Sequence, residues 1–111
     1  MMYYEFTAGN KEYKLRLTTR NIVSLEKQLN CNPLAVFGNG EKIPTITQMV
    51  AILHASLQTY QHGIDLNEAY EIFDDYLADG NAMTDFLTVI VELYKVSGLL
   101  GKGKEVDSEK N

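Results

Sequence analysis

Tryptophan is absent from this sequence of 111 residues, and there is only one cysteine, Cys31. A single cysteine cannot form a disulfide within its own chain, so packing must stabilise the fold, as is usual in a reducing compartment. Its neighbours Asn30 and Asn32 carry no cationic or imidazole group that would activate the thiol. We therefore interpret Cys31 as a half-buried structural thiol and expect a cytoplasmic protein.

The sequence also lacks long apolar runs and clusters of positive charge. Its apolar runs are only a few residues long, whereas about 20 apolar residues are needed to span a bilayer, and its start has no positively charged segment typical of a secretion signal. The formal net charge is -5, and the ten lysines and arginines are scattered singly. This distribution predicts neither a membrane partner nor a nucleic-acid partner.

Patterns typical of catalysis and metal binding are missing as well. His54 and His62 are the only histidines, and eight residues along one helix would separate them by about 12 Å, too far to share a metal. We interpret His54 as a boundary residue and place His62 in the last turn of a helix. The loop 38–42 is rich in glycine but lacks the Gly-Lys-Ser/Thr ending of a phosphate-binding loop. We expect no enzymatic activity, no catalytic residue, no cofactor and no metal.

Acidic residues between positions 68 and 79 are the one exception that invites a catalytic hypothesis. Paired carboxylates serve hydrolysis and divalent metals, so an acid-base or metal-dependent enzyme built on Glu71 and Asp75 is an alternative. However, Glu68, Glu71 and Asp75 recur at helical spacing opposite Phe73. We therefore interpret these acids as the solvated side of an amphipathic helix.

The composition is that of a folded protein. Apolar residues make up 45% of the chain and charged residues 23%, which is close to the averages of globular domains. A chain of this length suits one hydrophobic core. We expect a single domain over residues 1–100 and, because residues 101–111 have almost nothing to bury, a flexible, disordered tail.

The first eighteen residues alternate between apolar and polar side chains, as in a half-buried β-hairpin. Strands are predicted over about 2–7 and 12–17. A two-residue turn at Gly9-Asn10, of type II′ because glycine stands first, would place three apolar pairs on one face: Phe6 with Tyr13, Tyr4 with Leu15, and Met2 with Leu17.

Helical periodicity then predicts four α-helices, over about 19–29, 46–62, 66–79 and 82–97. Thr18 or Thr19 can cap the first, and capping-box patterns begin the next two, Thr45 with Gln48 and Asp65 with Glu68. Residues 33–37 predict a short helical turn that plugs the edge of the core. The expected fold class is α+β, an N-terminal hairpin packed on a bundle of about four helices.

The helix over 82–97 has a wider apolar surface than a helix with a single buried face. Such a helix is buried on two sides, either as the central helix of the fold or by contact with another subunit. We therefore predict that it binds a partner and favours a homo-oligomer. The candidate contact residues are Val89, Leu93, Val96, Leu99 and Leu100.

Seven tyrosines are many for so short a chain. Tyrosine is common in cores, with its hydroxyl at the surface, and is also enriched in protein interfaces. Each tyrosine taken singly is interpreted as a core residue, but their number favours at least one in an interface. The residues considered are Tyr3, Tyr60, Tyr70, Tyr76 and Tyr94.

Several segments together resemble a known family. The run from Tyr13 to Leu29, followed by Asn32-Pro33-Leu34, is similar to the opening of the small tail assembly chaperones of long-tailed phages and prophages in low-GC Gram-positive bacteria. Further similarity lies in Ile43-Pro44-Thr45, in the run from Ile52 to Gln58, and at His62-Gly63, Tyr76-Leu77 and Ser97-Gly98-Leu99. The resemblance covers roughly residues 2–100.

This resemblance implies a function in phage tail assembly. Proteins of that family bind the long, helical tape-measure protein in the host cytoplasm and keep it soluble while the major tail protein polymerises around it. The tape-measure protein, and possibly the major tail protein, are therefore the expected partners. The alternative is a structural tail completion or connector subunit that stays in the virion.

Overall fold

The protein combines one β-hairpin with helices in the α+β arrangement predicted from the sequence. A computed structural model describes residues 2–37 and 43–101; the glycine-rich loop 38–42 and, except for Gly101, the predicted tail 101–111 lie outside the described residues. In chain order the elements are β1 (Tyr4–Ala8), β2 (Lys11–Leu15), α1 (Thr19–Leu29), a 3₁₀ turn (Pro33–Phe37), α2 (Ile46–Leu57), α3 (Leu66–Ala78) and α4 (Asp85–Ser97).

The hairpin has the predicted register but a different turn. Phe6 pairs with Tyr13 and Tyr4 with Leu15, and the ladder ends there, without a Met2–Leu17 pair. Gly9 and Asn10 have φ values of 60° and 66°, and two successive positive φ angles indicate a type I′ turn rather than the predicted type II′ turn. Asparagine tolerates the left-handed region, which permits the type I′ turn. Both turn types have two central residues, so the register is unaltered.

One face of the hairpin lies on the helices. Phe6, Ala8, Leu15 and Leu17 are buried, whereas Met2 is 61% exposed. The strand β1 contacts α3 and α4, and β2 contacts α2. The apolar alternation in the sequence is therefore explained by this helical cover.

Side-chain caps set the beginnings of three helices. Thr18 with Asn21, Thr45 with Gln48, and Asp65 with Glu68 each form a reciprocal capping box. The predicted beginnings of α1, α2 and α3 are confirmed.

Two helix boundaries differ from the predictions, the end of α2 and the beginning of α4. The helix α2 ends at Leu57 rather than near residue 62, since the Ser56 carbonyl accepts the N–H of Arg16 at 3.0 Å. The helix α4 begins at Asp85 rather than near residue 82. The carbonyls of residues 82–84 accept bonds from three residues ahead, a tighter turn than the α-helix allows.

The core centres on α2 and on a cluster of aromatic rings. Residues 49–57 of α2 are buried except for His54, so α2, and not α4, is the central helix. Four rings from the hairpin, α3 and α4 meet, with neighbouring centroids 5.1 to 6.0 Å apart: Phe6, Phe73, Tyr76 and Phe86.

The 3₁₀ turn is joined to α4 through Tyr94. The Tyr94 hydroxyl donates a hydrogen bond of 2.9 Å to the Pro33 carbonyl, and the ring meets Phe37 edge-on with centroids 6.2 Å apart. Val36 is buried in the same turn. This turn covers the edge of the core, as the sequence predicts.

The substitution Tyr94→Phe should lower the free energy of unfolding at pH 7 by about 1–2 kcal/mol, because the buried Pro33 carbonyl loses its donor. Burial, with a smaller contribution from Cys31, raises the pKa of Tyr94 above the ordinary value of 10.0. Above pH 10 the unfolded chain therefore releases this proton first, and the wild type loses stability as the pH rises. Urea unfolding at pH 7 and pH 11 should show the wild-type advantage shrinking, and an unchanged advantage would contradict this account.

Candidate interaction site

The predicted contact residues near the end of α4 fall into two groups. Val89 is 5% exposed and Leu93 is 0% exposed, so both belong to the core and offer little surface to a partner. Val96, Leu99 and Leu100 are half-buried. The N–H groups of Leu99 and Leu100 donate to the Tyr94 carbonyl at 2.9 and 3.3 Å, which folds the chain back over the end of α4.

Arg16 brings the start of the chain to the end of α4. Its Nη1 donates to the carbonyl of Met2 at 2.9 Å and to the carbonyl of Val96 at 3.0 Å. The hydroxyl of Ser97 accepts the N–H of Leu17 at 2.9 Å. The exposed side chain of Met2 is thereby placed beside the residues that follow α4.

Two tyrosines and a lysine continue this surface. The rings of Tyr3 and Tyr60 meet edge-on with centroids 5.4 Å apart, and the Nζ of Lys14 lies 5.0 and 5.8 Å from the two centroids. An ammonium over an aromatic face is held by cation–π attraction. Tyr60 remains 41% exposed, so the cluster presents an aromatic ring to solvent.

We call these neighbouring residues the terminal patch: Met2, Tyr3, Tyr60, Val96, Leu99 and Leu100. Apolar and aromatic side chains dominate it, while Lys14 and Arg16 supply positive charge. Exposed methionine, tyrosine and arginine are enriched in protein interfaces. The patch can bind an apolar surface of another protein, and acidic groups at the border of that surface would meet the two cations.

The tyrosines have mixed environments. Tyr76 and Tyr94 are buried, as the core interpretation expects, and Tyr3 is half-buried. That interpretation is wrong for Tyr60 and for Tyr70, which is 45% exposed. The number of tyrosines indicated that at least one would lie in an interface, but it did not indicate which tyrosine would be exposed.

The acidic side of α3 faces solvent, which confirms its interpretation as a solvated face. Glu71 and Asp75 do come together in a pocket of about 270 Å³ between the hairpin and α3, lined by Lys11, Tyr13, Ile64, Glu68, Glu71, Ile72 and Asp75. Burial, followed by the charges of Asp75 and Glu68, raises the pKa of Tyr13. Within residues 2–37 and 43–101, no group of three or more histidine, cysteine or acidic side chains is arranged to hold a metal ion.

The comparison with known proteins identifies a family. A model described as a family of unknown function, DUF6096, matches residues 5–111. The chain belongs to the DUF6096 family. No curated protein and no solved structure matches the chain significantly.

The remaining candidate groups of this DUF6096 protein are His54, His62 and Cys31. His54 lies within α2 and is half-buried, as predicted for a residue at the border of the buried face. His62 is exposed and lies beyond the end of α2 rather than in its last turn. Cys31 is half-buried, as predicted. Among the helices that the structure describes, none is both long enough and apolar enough to cross a membrane.

Proposed function

We propose that this DUF6096 protein is a phage tail assembly chaperone, which binds the tape-measure protein in the host cytoplasm and keeps it soluble during tail assembly. It acts by binding, without catalysis and without a cofactor. The specific function in this proposal, tail assembly, rests on the resemblance over residues 2–100. The terminal patch is the observation that supports a binding role.

The terminal patch suits a helical client because it offers exposed apolar and aromatic side chains. Met2 is 61% and Tyr60 41% exposed, and both can pack on the apolar stripe of an amphipathic helix. Lys14 and Arg16 would attract the acidic residues that border such a stripe. One patch is small and releasable, so several copies along one long client would hold it by avidity.

Self-association is also part of the proposal, but the surface proposed for it is now the terminal patch rather than the face of α4. The predicted contact through α4 depended on side chains such as Val89 and Leu93, which are buried within one chain. A homo-oligomer would therefore use Val96, Leu99 and Leu100 together with the rest of the terminal patch. Light scattering at several concentrations measures this, and a monomeric mass throughout would remove self-association from the proposal.

The substitution Tyr60→Ala should reduce capture of the tape-measure protein about tenfold, the effect of losing one aromatic contact at the centre of an interface. The measurement is co-expression of both proteins, with the tape-measure protein quantified in the soluble fraction and after co-purification. Tyr70→Ala is the matched control, because Tyr70 is 45% exposed but lies on α3, outside the terminal patch. Equal losses in both variants would contradict a role for the patch.

Mass spectrometry of purified virions separates the chaperone from the alternative structural subunit. A chaperone leaves few or no copies in mature particles, whereas a tail completion or connector protein is retained in fixed number. Abundant peptides of this chain in virions would overturn the proposal in favour of that alternative.

The major tail protein is the second expected partner. Co-expression with the major tail protein in place of the tape-measure protein, followed by the same measurement of the soluble and co-purified fractions, tests it.

A further inference from the structure

Part of one edge of the hairpin, at Lys14 and Arg16, is closed by α2 and the residues after it. The N–H of Lys14 donates to the side-chain oxygen of Gln61 at 2.7 Å, and the carbonyl of Lys14 accepts from the side-chain nitrogen of Gln61 at 2.9 Å. The N–H of Arg16 donates to the Ser56 carbonyl at 3.0 Å, and the Arg16 carbonyl accepts from the Thr59 hydroxyl at 2.9 Å. The outward backbone groups of Lys14 and Arg16 are therefore fully paired.

The opposite edge, formed by β1, is open. Pairs in an antiparallel ladder alternate between hydrogen-bonded and non-hydrogen-bonded, and the outward groups of Lys14 show that the Glu5–Lys14 pair is of the second kind. The N–H and C=O of Glu5 and Thr7 therefore point away from β2. They have no hydrogen-bond partner within residues 2–37 and 43–101, and both residues are exposed.

Carboxylates surround this open edge. Glu5 lies on its solvent face, and the carboxylate of Asp79 accepts the N–H of Gly9 at 2.9 Å, at the turn that ends β1. Two acids of α4 act on nearby tyrosines through their charges, and one of them, Glu92, also forms an ion pair with Lys95 at 3.5 Å. Burial and then Glu92 raise the pKa of Tyr4, and burial followed by Asp85 and Tyr4 raises the pKa of Tyr76 to about 12.

We propose that the open edge of β1 binds an extended, lysine- or arginine-rich segment of another protein by strand addition. An unpaired edge is a template for a further strand, and the surrounding carboxylates select a positively charged one. The partner residue opposite Glu5 shares the solvent face with it, and the residues on either side of that position point toward the helical layer. This inference does not depend on the proposed function, and the open edge is the side of β1 that faces away from Lys14 and the rest of β2.

A second copy of the chain is a poorer occupant of this edge. Antiparallel pairing centred on Glu5 would place two glutamates opposite each other, which is destabilising. The formal net charge of -5 on each copy adds repulsion. The same charges favour a basic strand from a different protein.

The test uses the full chain and a capped seven-residue peptide of alternating lysine and valine. Amide hydrogen exchange, followed by NMR, should show new protection of the N–H groups of Glu5 and Thr7 on peptide binding.

Glu5→Lys should weaken binding about tenfold, since an attractive cross-strand pair becomes repulsive. Glu12→Lys, the same charge change on β2, is the matched control and should bind as the wild type does. Thr7→Pro should also weaken binding, because proline removes the outward N–H without breaking the ladder.

A second peptide, with proline in place of its central valine, has the same charge but cannot form the strand. Equal affinity for the two peptides would mean general attraction to an acidic surface and would overturn the proposal. Equal binding by the Glu5→Lys and Glu12→Lys variants would do the same. Protection of Glu5 and Thr7 in the absence of peptide, growing with protein concentration, would assign the edge to a second copy and also defeat it.

Discussion

Replacing Phe86 by alanine should lower the free energy of unfolding by about 4 kcal/mol. The side chain of Phe86 is 0% exposed, and its ring lies 5.9 Å from Phe6, 5.1 Å from Phe73 and 5.7 Å from Tyr76 between centroids. Alanine would leave a cavity at the one point where the hairpin, α3 and α4 meet, and three rings would lose edge contacts as well. Such a loss is a large fraction of the total stability of a small domain.

Urea unfolding followed by far-ultraviolet circular dichroism measures this effect without requiring tryptophan. Phe86→Leu is the control, because leucine fills much of the volume and should cost about 1–1.5 kcal/mol. If the two variants were equally stable, the aromatic cluster would not be the junction that its geometry indicates. Loss of the hairpin signal alone, with the helices intact, would also contradict that role.

The hairpin and the helix beginnings could be predicted because their causes are local. Gly9-Asn10 specifies a tight turn, and the alternation on either side sets which residues pair. Asp65 and Glu68 complete their capping box within one turn of chain, without help from the rest of the fold. The type of turn was missed because glycine in the first position permits both primed turns, and Asn10 decides between them by adopting a positive φ.

The end of α2 could not be predicted because a distant residue determines it. The helix α2 stops where the Ser56 carbonyl accepts a bond from Arg16, forty residues earlier in the chain. No pattern around Ser56 contains that information. Predicted helix ends are least reliable where a strand edge competes for the last carbonyls.

The candidate site was even harder to predict from the sequence, because residues far apart in the chain form it. The wide apolar stripe of the last helix indicated correctly that its side chains are buried, but it did not say against what. Leu93 is covered by its own chain, whereas the terminal patch joins residues 2–3, 60 and 96–100, which are far apart in sequence. Arg16, whose guanidinium joins Met2 to Val96, gives no sign in the sequence that it does so.

The two surfaces have opposite electrostatic preferences. The terminal patch carries Lys14 and Arg16 beside its apolar residues, and the open edge of β1 has Glu5 on its solvent face and Asp79 at its turn. A partner that suits one surface is therefore disfavoured at the other, which allows two different segments to bind at once.

Replacing Gly9 by alanine should destabilise the protein by about 3 kcal/mol, through two separate causes. Gly9 has a φ of +60°, which strains any residue with a β-carbon. A β-carbon at this position would also lie 2.9 Å from Oδ2, 3.1 Å from Cγ and 3.1 Å from Cβ of Asp75. The hairpin turn would have to move away from α3, weakening the bond between the Gly9 N–H and Asp79.

Two further variants separate these causes in the same urea unfolding measurement. Gly63 also has a positive φ, +87°, but a β-carbon there meets nothing within 4 Å, so Gly63→Ala should cost only the backbone strain, about 1 kcal/mol. Adding Asp75→Ala to Gly9→Ala removes two of the three close contacts and should restore part of the lost stability, a non-additive result for neighbouring residues. If Gly9→Ala cost no more than Gly63→Ala, or if Asp75→Ala restored nothing, close packing of the turn on α3 would not be the reason for glycine at position 9.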